Sequence, residues 1–269
     1  MNSDVHGANS SAGTLGEVES SKGRRSELLQ GFQSLVSTGS DIPLDELFLT
    51  VSALIKTPSE DRHPAIRSNT AQPPDVLENL VLLDELASQI SSPTLEGIAR
   101  HLFSGESRFR GNREDYYQPA NSFLDDVLRR RVGIPITLSV VMIEVARRLG
   151  VRLSGVGMPG HFLVGAYAPV GKIPDVFIDP FHGGDVLDAE GCRRLFRTVT
   201  GSASNFDTRF LAALHPIAIV ERALGNLKGI FEASESILEL RSVMALRSCL
   251  PGFSAAEREE FRRLMAPLN

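Results

Sequence analysis

The sequence predicts an α+β fold in which one buried helix packs on a small antiparallel sheet. Residues 136–149 form an unbroken stretch whose apolar residues recur at three- and four-residue spacing, which is typical of a helix. Three strand-like runs follow, at 153–158, 161–167 and 175–179. Helical periodicity continues on both sides of this unit. We therefore expect residues 133–181 to form the centre of the fold, with the other helices packed around it.

The central helix has recognisable ends. Pro135 suits its first turn, where the missing N–H would have no partner in any case. Arg147 and Arg148 complement the helix dipole in the last turn, and Gly150 is a natural C-cap. Apolar residues cover nearly every side between these ends, so we expect the helix to be buried all round.

The strand-like runs predict a histidine and an aspartate close together. Pro159-Gly160 is a turn signal, and residues 168–172 (APVGK) form a hairpin connection. A hairpin centred near Val170 gives three cross-strand pairs: Val164 with Val176, Phe162 with Ile178, and His161 with Asp179. Directly opposed residues have Cβ atoms roughly 4.5–5.5 Å apart. An imidazole and a carboxylate are therefore expected to meet near the start of the central helix.

Further helices are predicted before and after the central unit. They span 25–40, 43–55, 75–91, 94–104 and 123–131 before it, and 188–198, 208–232, 234–249 and 254–266 after it. We expect a single domain over 25–200, with a C-terminal helical segment over 208–267. Fewer than three helical repeats cannot form a free-standing array, so this segment is expected to lean on the rest of the chain.

Composition limits the classes of function. A net charge of −5 lacks the basic excess of a nucleic-acid-binding protein. Two cysteines cannot form a disulfide framework, and no 18-residue apolar run predicts a membrane span. Residues 1–24 lack the apolar core of a signal peptide and are expected to be a disordered tail. We expect a cytoplasmic location and no contact with membranes; the oligomeric state is not indicated.

Residues 105–122 are polar and without periodicity. One interpretation is a solvated connection, with turn residues at several glycines and at Pro119. The interpretation that we favour is a loop laid across a site, to which Tyr116, Tyr117 and Asn121 supply binding contacts. Asn121 is also a good N-cap for the helix over 123–131.

Three stretches resemble the transglutaminase-like superfamily, and within it the bacterial SirB-type proteins. They are GNREDYYQPANSFLDDVLRRRVGIPITLSVVMIEVARRLG (111–150), GVGMPGHFLV (155–164) and FIDPFHGG (177–184). The resemblance covers about residues 40–200 and implies a papain-like fold. The C-terminal stretch RALGNLKGIFEASESILELRSVMALRSCLPG resembles the TPR-like tail of that family less specifically.

The resemblance implies a Cys–His–Asp triad, of which this chain retains two positions. His161 and Asp179 match the histidine and the aspartate. The superfamily pattern Gly-x-Cys, followed by a helix that ends in Arg-x-Leu-Gly, places Pro135 where the cysteine belongs. Neither Cys192 nor Cys249 is near the helix start, so the family's thiol nucleophile is absent.

Two function classes follow. Our main hypothesis is a non-catalytic binding or regulatory module, a pseudoenzyme whose partner is a protein or peptide. The alternative is a hydrolase or acyl-transfer enzyme in which Ser139 or Thr137, activated by the His161–Asp179 pair, replaces the thiol. A third interpretation is an enzyme that uses a relocated thiol or a metal.

His182, three residues after Asp179, is a further candidate binding residue. With His161 and Asp179 it would complete a set of two histidines and one carboxylate, which is a known type of metal site. The spacing of the three residues does not require a metal, and the family that the chain resembles is metal-free. We therefore expect neither a metal nor a cofactor.

Overall fold

The structure is a computed structural model that describes residues 9–39, 42–58, 73–105, 108–201 and 205–266. The α-helices are α1 (Asn9–Val36), α2 (Leu44–Lys56), α3 (Val76–Ser88), α4 (Leu95–Phe103), α5 (Leu124–Arg130), α6 (Pro135–Arg148), α7 (Ala189–Thr200), α8 (Pro216–Ala233), α9 (Ile237–Arg247) and α10 (Ala255–Met265). The strands are β1 (Arg110–Gly111), β2 (Val132–Gly133), β3 (Leu153–Val156), β4 (Leu163–Ala166), β5 (Phe177–Asp179) and β6 (Asp185–Leu187). Short 3-10 turns span Pro119–Asn121, Pro180–His182 and Thr208–Leu211. The predicted α+β class is confirmed.

Helix α6 lies at the centre of the fold. Every residue from Pro135 to Ala146 is buried, as the all-round apolar pattern predicts. The helix contacts α2, α3, α4 and α5, and it also packs on β3 and β4 of the sheet. Gly150 follows its end with φ +74°, a left-handed conformation that favours glycine and matches the predicted C-cap.

The main sheet is antiparallel, with the strand order β3-β4-β5-β6. Its β4–β5 register pairs Val164 with Ile178, so the predicted pairing of Val164 with Val176 is wrong by two residues. The connection is not a symmetric hairpin because its tip is held from outside: the Gly171 N–H donates to the Ala213 carbonyl, 2.9 Å away. A two-residue shift keeps every side chain on its original face of the sheet.

Helix α1 begins at Asn9, inside the segment 1–24 for which the sequence predicts disorder; residues 1–8 lie outside the described residues. The helix is anchored near its other end, where Phe32 is buried. Arg25 also donates to the carbonyls of Leu54 (2.8 Å) and Thr57 (2.7 Å) and to Ser242 Oγ (2.8 Å). Once such an anchored turn exists, each further helical residue adds a hydrogen bond at little cost, so the helix extends toward the N-terminus.

The C-terminal helices share the central core. Helix α9 packs on α8, on α10 and on α2, and its Val243 and Met244 are fully buried. These side chains belong to the same apolar cluster as those of α2 and α6. The C-terminal segment therefore leans on the rest of the chain, in agreement with its predicted inability to stand alone. No helix within the described ranges has the length and apolarity needed to cross a bilayer.

A buried ionic network joins α6 to the start of α2. Glu144 accepts the backbone N–H of Leu44 at 3.2 Å and the Arg147 Nε–H at 2.7 Å. Arg148 Nη2 lies 2.8 Å from the Asp45 carboxylate. Burial, and then the negative charge of Asp45, raise the pKa of Glu144 to about 7, although Arg147 opposes this. Glu144 is therefore protonated more readily in the folded state than in the unfolded chain.

This raised pKa predicts a pH-dependent stability. A carboxyl whose folded pKa is about 7, against an ordinary 4.5, gives stability that is complete below pH 4.5 and lost as the pH rises through 7. At about 1.36 kcal/mol per pH unit, the loss is roughly 3 kcal/mol. The variant Glu144→Gln cannot ionise, so its advantage over the wild type should grow by that amount between pH 4.5 and pH 8.

Urea denaturation at several pH values measures the free energies of unfolding. The matched control is Glu85→Gln, which changes an exposed glutamate in α3. Parallel pH profiles for the wild type and Glu144→Gln would contradict the raised pKa.

Candidate active-site region

His161 and Asp179 meet at one end of the main sheet. His161 lies just before β4, and Asp179 is the last residue of β5. The His161 Nε2 atom is 2.9 Å from Asp179 Oδ1 and 3.0 Å from Oδ2, and both side chains are buried. The predicted imidazole–carboxylate contact therefore forms, although the strand register differs from the one that suggested it.

The chain direction after β5 positions the Asp179 carboxylate. Pro180 begins a 3-10 turn, and Asp179 caps it by accepting the N–H groups of Phe181 (3.1 Å) and His182 (3.2 Å). The His182 Nδ1 atom lies 2.6 Å from Asp179 Oδ2. Burial alone raises the pKa of Asp179, but the bonds to His161 and His182 outweigh it and lower the pKa to about 2. Asp179 is thus an ionised carboxylate that bridges two imidazoles.

Aromatic side chains orient the two imidazoles. The Phe181 ring lies edge-on to His161, with centroids 5.9 Å apart, and to His182, with centroids 5.3 Å apart. Tyr116 contacts the same ring at 6.0 Å. Gly111 makes room for Phe181, because a Cβ at that position would lie 2.4 Å from the ring. The polar loop therefore reaches the His–Asp cluster through Tyr116 and Phe181.

Arg222 of α8 holds the turn that carries His161. Its guanidinium donates to the carbonyls of Gly157 (3.0 Å), Met158 (2.7 Å) and His161 (2.8 Å). Burial lowers the pKa of Arg222. Sequence reasoning missed this residue, since an arginine in an amphipathic helix usually faces solvent. The available signal was its position three residues after the buried Ile219, because residues at this spacing lie on the same face of a helix.

The candidate hydroxyls make no hydrogen bond to His161. Thr137 Oγ donates to the Asn121 carbonyl at 2.7 Å and accepts the Ile134 N–H at 3.1 Å. Ser139 Oγ is buried and has no hydrogen-bond partner among the described residues. Neither hydroxyl is thus paired with the base that nucleophilic attack requires. The catalytic roles of Thr137, Ser139, His161 and Asp179 stay predictions.

Neither cysteine takes the missing position. Cys192 is fully buried in α7. Burial, followed by the charges of Asp179 and Asp188, raises its pKa to about 12, so its thiol stays protonated near neutral pH. Cys249 contacts Gln33 of α1 instead of the site. Pro135, which the resemblance aligns with the cysteine, occupies the first position of α6.

The predicted binding residues of the loop have two different roles: Asn121 holds the loop together, and Tyr116 and Tyr117 line a groove. The buried Asn121 amide donates to the carbonyls of Asp115 (2.7 Å) and Tyr116 (3.2 Å), so it supports the loop from within. Tyr117 is 74% exposed, and its ring lies edge-on to that of Tyr116, with centroids 5.2 Å apart. The two tyrosines form one wall of a groove, and His182 belongs to the His–Asp cluster.

This groove separates the loop from α8 and has a volume of about 570 Å³. Its lining comprises Tyr116, Tyr117, Pro119, Ile134, Gly225, Asn226, Gly229, Ile230, Ala233 and Ser234. Gly225 and Gly229 lie within α8, where glycine costs about 1 kcal/mol relative to alanine. A Cβ at Gly229 would meet nothing within 4 Å, and one at Gly225 only Arg247 Nη1 at 3.9 Å. Packing within the chain therefore does not explain either glycine.

The Arg222 contacts predict that this residue positions the turn of His161. The stability of the protein and the orientation of the His161 ring should both report this role. In Arg222→Met, three carbonyls lose a charged donor, so we expect the free energy of unfolding to fall by about 2–4 kcal/mol. Arg222→Lys retains the charge with fewer donors and should lose less. Urea denaturation measures stability, and NMR shifts of the His161 ring report its position.

The control for these variants is Arg262→Met, which changes an arginine whose side chain is 75% exposed. The His161 ring shifts should move in Arg222→Met and stay unchanged in the control. A loss below about 0.5 kcal/mol in Arg222→Met, the range typical of surface substitutions, would contradict the positioning role.

Sequence comparisons identify the family of the chain. Residues 75–225 match the profile of the transglutaminase-like superfamily. A UPF0162 protein of Xylella fastidiosa (strain Temecula1) is 41% identical over 140 residues, which are 51% of this chain and 48% of that protein. A UPF0162 protein of Pseudomonas aeruginosa is 31% identical over 163 residues, covering 56% of this chain and 57% of that protein.

F-box only protein 21 of Mus musculus is 32% identical over 171 residues, covering 62% of this chain and 25% of that protein. The chain thus spans about half the length of the bacterial relatives that it matches and a quarter of the mouse protein. The superfamily profile matches more than half of the chain, including the turn of His161, the strand of Asp179 and helix α6. The chain belongs to the transglutaminase-like superfamily.

Proposed function

We propose that this protein is a non-catalytic transglutaminase-like binding module whose groove holds an apolar segment of a protein or peptide. The observation that carries this proposal is the chemistry at the start of α6. Pro135 has no side-chain nucleophile, and the hydroxyls of Thr137 and Ser139 make no hydrogen bond to His161. Acyl transfer needs a nucleophile within hydrogen-bond reach of its base. The lack of such a contact among these described residues supports the binding proposal.

The groove supports a peptide as the occupant. Its ten described lining residues carry no formal charge. Tyr116 and Tyr117 offer rigid apolar rings that each end in a hydroxyl group. Such a side chain can pack against a peptide through its ring while its hydroxyl group stays in contact with water. Opposite them, Gly225 and Gly229 let a backbone or a large side chain approach α8 closely. Aromatic-lined grooves are a recurring mode of peptide recognition.

We also propose finer assignments for the chain. The stretches quoted above support a SirB-type relationship, and the helical pattern of α8–α10 supports a TPR-like tail. The match to one part of the much longer F-box only protein 21 is consistent with a domain that serves as a module. A cytoplasmic location rests on the two free cysteines, Cys192 and Cys249.

A hydrolase or acyl-transfer enzyme is the second candidate, because the His161–Asp179 contact is intact. The catalytic activity of the variant Ser139→Ala distinguishes such an enzyme from a binding module. Ser139 Oγ is buried without a partner, so its removal should leave stability unchanged or raise it by up to about 1 kcal/mol. Thr137→Val is the matched comparison and should lose about 1 kcal/mol with its bond to the Asn121 carbonyl.

Activated ester and amide substrates give the catalytic readout for these variants. We expect no turnover above background from the wild type. Turnover that Ser139→Ala or Thr137→Val abolishes while the protein stays folded would overturn the non-catalytic proposal.

The groove itself is tested by filling it. A peptide library selected on the wild type supplies ligands, whose affinities are measured by fluorescence polarisation. Gly229→Leu places a side chain in the groove and should weaken binding at least tenfold. Gly23→Leu is the control, because Gly23 also lies in a helix and faces open space. Selected peptides that bind Gly229→Leu as tightly as the wild type would contradict the proposed site, as would a library that yields no ligand.

A further inference from the structure

The cluster of His161, Asp179 and His182 has a capacity that the binding proposal does not use. Each side chain offers one ligand atom, and the three atoms lie within 4.8 Å of one another. Two imidazoles and one carboxylate form a common ligand set for divalent transition metals. We propose that these three side chains bind one divalent transition-metal ion of the Zn²⁺ class, contrary to the absence of a metal expected from the sequence.

The distances suit such an ion. Ligand atoms at about 2.0–2.1 Å from Zn²⁺ stand roughly 3 Å apart. Asp179 Oδ2 is already 3.0 Å from His161 Nε2 and 2.6 Å from His182 Nδ1. The two imidazole nitrogens need to approach each other by about 1.5–2 Å if they start at the 4.8 Å limit. Small rotations of two side chains supply this movement.

Metal binding leaves the number of protons on the two imidazoles unchanged. In the hydrogen-bonded cluster, each neutral imidazole presents an N–H to Asp179. A metal ion needs the lone pair of that nitrogen, so the proton moves to the other nitrogen of the same ring. The complex of two neutral imidazoles, one carboxylate and a dication carries one positive charge.

The surroundings hold the ligands in place before any ion arrives. The N–H groups of Phe181 and His182 hold Asp179 Oδ1, as outer partners hold the carboxylates of metal sites. Arg222 holds the backbone carbonyl of His161. Phe181 flanks both imidazole rings. Metal sites depend on such supporting contacts for their geometry and affinity.

One ligand faces the route by which an ion would enter. The side chains of His161 and Asp179 are 3% and 2% exposed, whereas that of His182 is 29% exposed. An ion can therefore approach through His182. Three protein ligands leave at least one coordination position for water or for a group of a bound ligand.

The test is calorimetric titration of the full chain with ZnCl₂ after treatment with EDTA and dialysis. We expect one ion per chain and a loss of affinity of at least 100-fold in His182→Ala. His182→Asn, which keeps a donor for Asp179, should lose as much. The control His101→Ala removes an exposed histidine of α4 and should bind as the wild type does.

Co²⁺ supplies an independent readout, because inner-sphere binding gives visible absorption bands that His182→Ala should abolish. Circular dichroism checks that each variant is folded. The proposal is overturned if the wild type gives no saturable binding at one ion per chain. It is equally overturned if folded His182→Ala and His182→Asn bind Zn²⁺ as tightly as His101→Ala.

This inference goes beyond the proposed peptide groove, and the two can fail separately. Gly229→Leu fills the groove without touching the three ligands, so it should leave Zn²⁺ affinity unchanged. Loss of Zn²⁺ affinity in Gly229→Leu would contradict this separation and count against the proposed ligand set.

Discussion

The Asp179 carboxylate is the interaction on which the arrangement of the site depends. It receives two backbone N–H groups from the 3-10 turn and one contact from each of two histidines. A buried carboxylate is stable only when such partners surround it. The end of β5, the turn over Pro180–His182 and the start of β4 are consequently held together at this one point. The contacts with the two histidines also lower the pKa of Asp179.

The C-terminal helices are part of the site. Arg222 of α8 donates to three carbonyls around His161, and the groove has α8 as one of its walls. The sequence divides the chain into a domain over 25–200 and a segment over 208–267, but the apolar core is continuous between them. Helix α8 therefore contributes to the site in two ways. Arg222 holds the turn of His161, and Gly225 and Gly229 leave the groove open because they have no side chains.

Sequence reasoning went furthest where local patterns decide the structure. The ends of α6 followed from Pro135 and Gly150, and the positions of β4 and β5 from their apolar runs. It failed for the β4–β5 register, at a connection whose tip is bonded to a distant part of the chain through Gly171 and Ala213.

The site shows the same division. The His161–Asp179 contact was predictable because both residues lie at strand ends of one hairpin. The contacts of Arg222 and the bond between Thr137 and Asn121 join residues far apart in sequence, and neither has a local pattern. The groove likewise depends on how α8 lies against the loop, which periodicity does not determine. The local signs of that groove are the polar loop with Tyr116 and Tyr117 and the glycines within α8.

The edge-on contact between Tyr116 and Phe181 joins the groove to the histidine cluster. One tyrosine lines the groove, and the phenylalanine that it contacts lies edge-on to both imidazoles. A ligand that fixes Tyr116 thereby restricts the ring that flanks His161 and His182. Such coupling requires a ligand that holds Tyr116 itself, whereas Gly229→Leu only adds a side chain on the α8 wall. Where a ligand does couple the groove to the histidine cluster, thermodynamic reciprocity makes the effect on affinity equal in both directions.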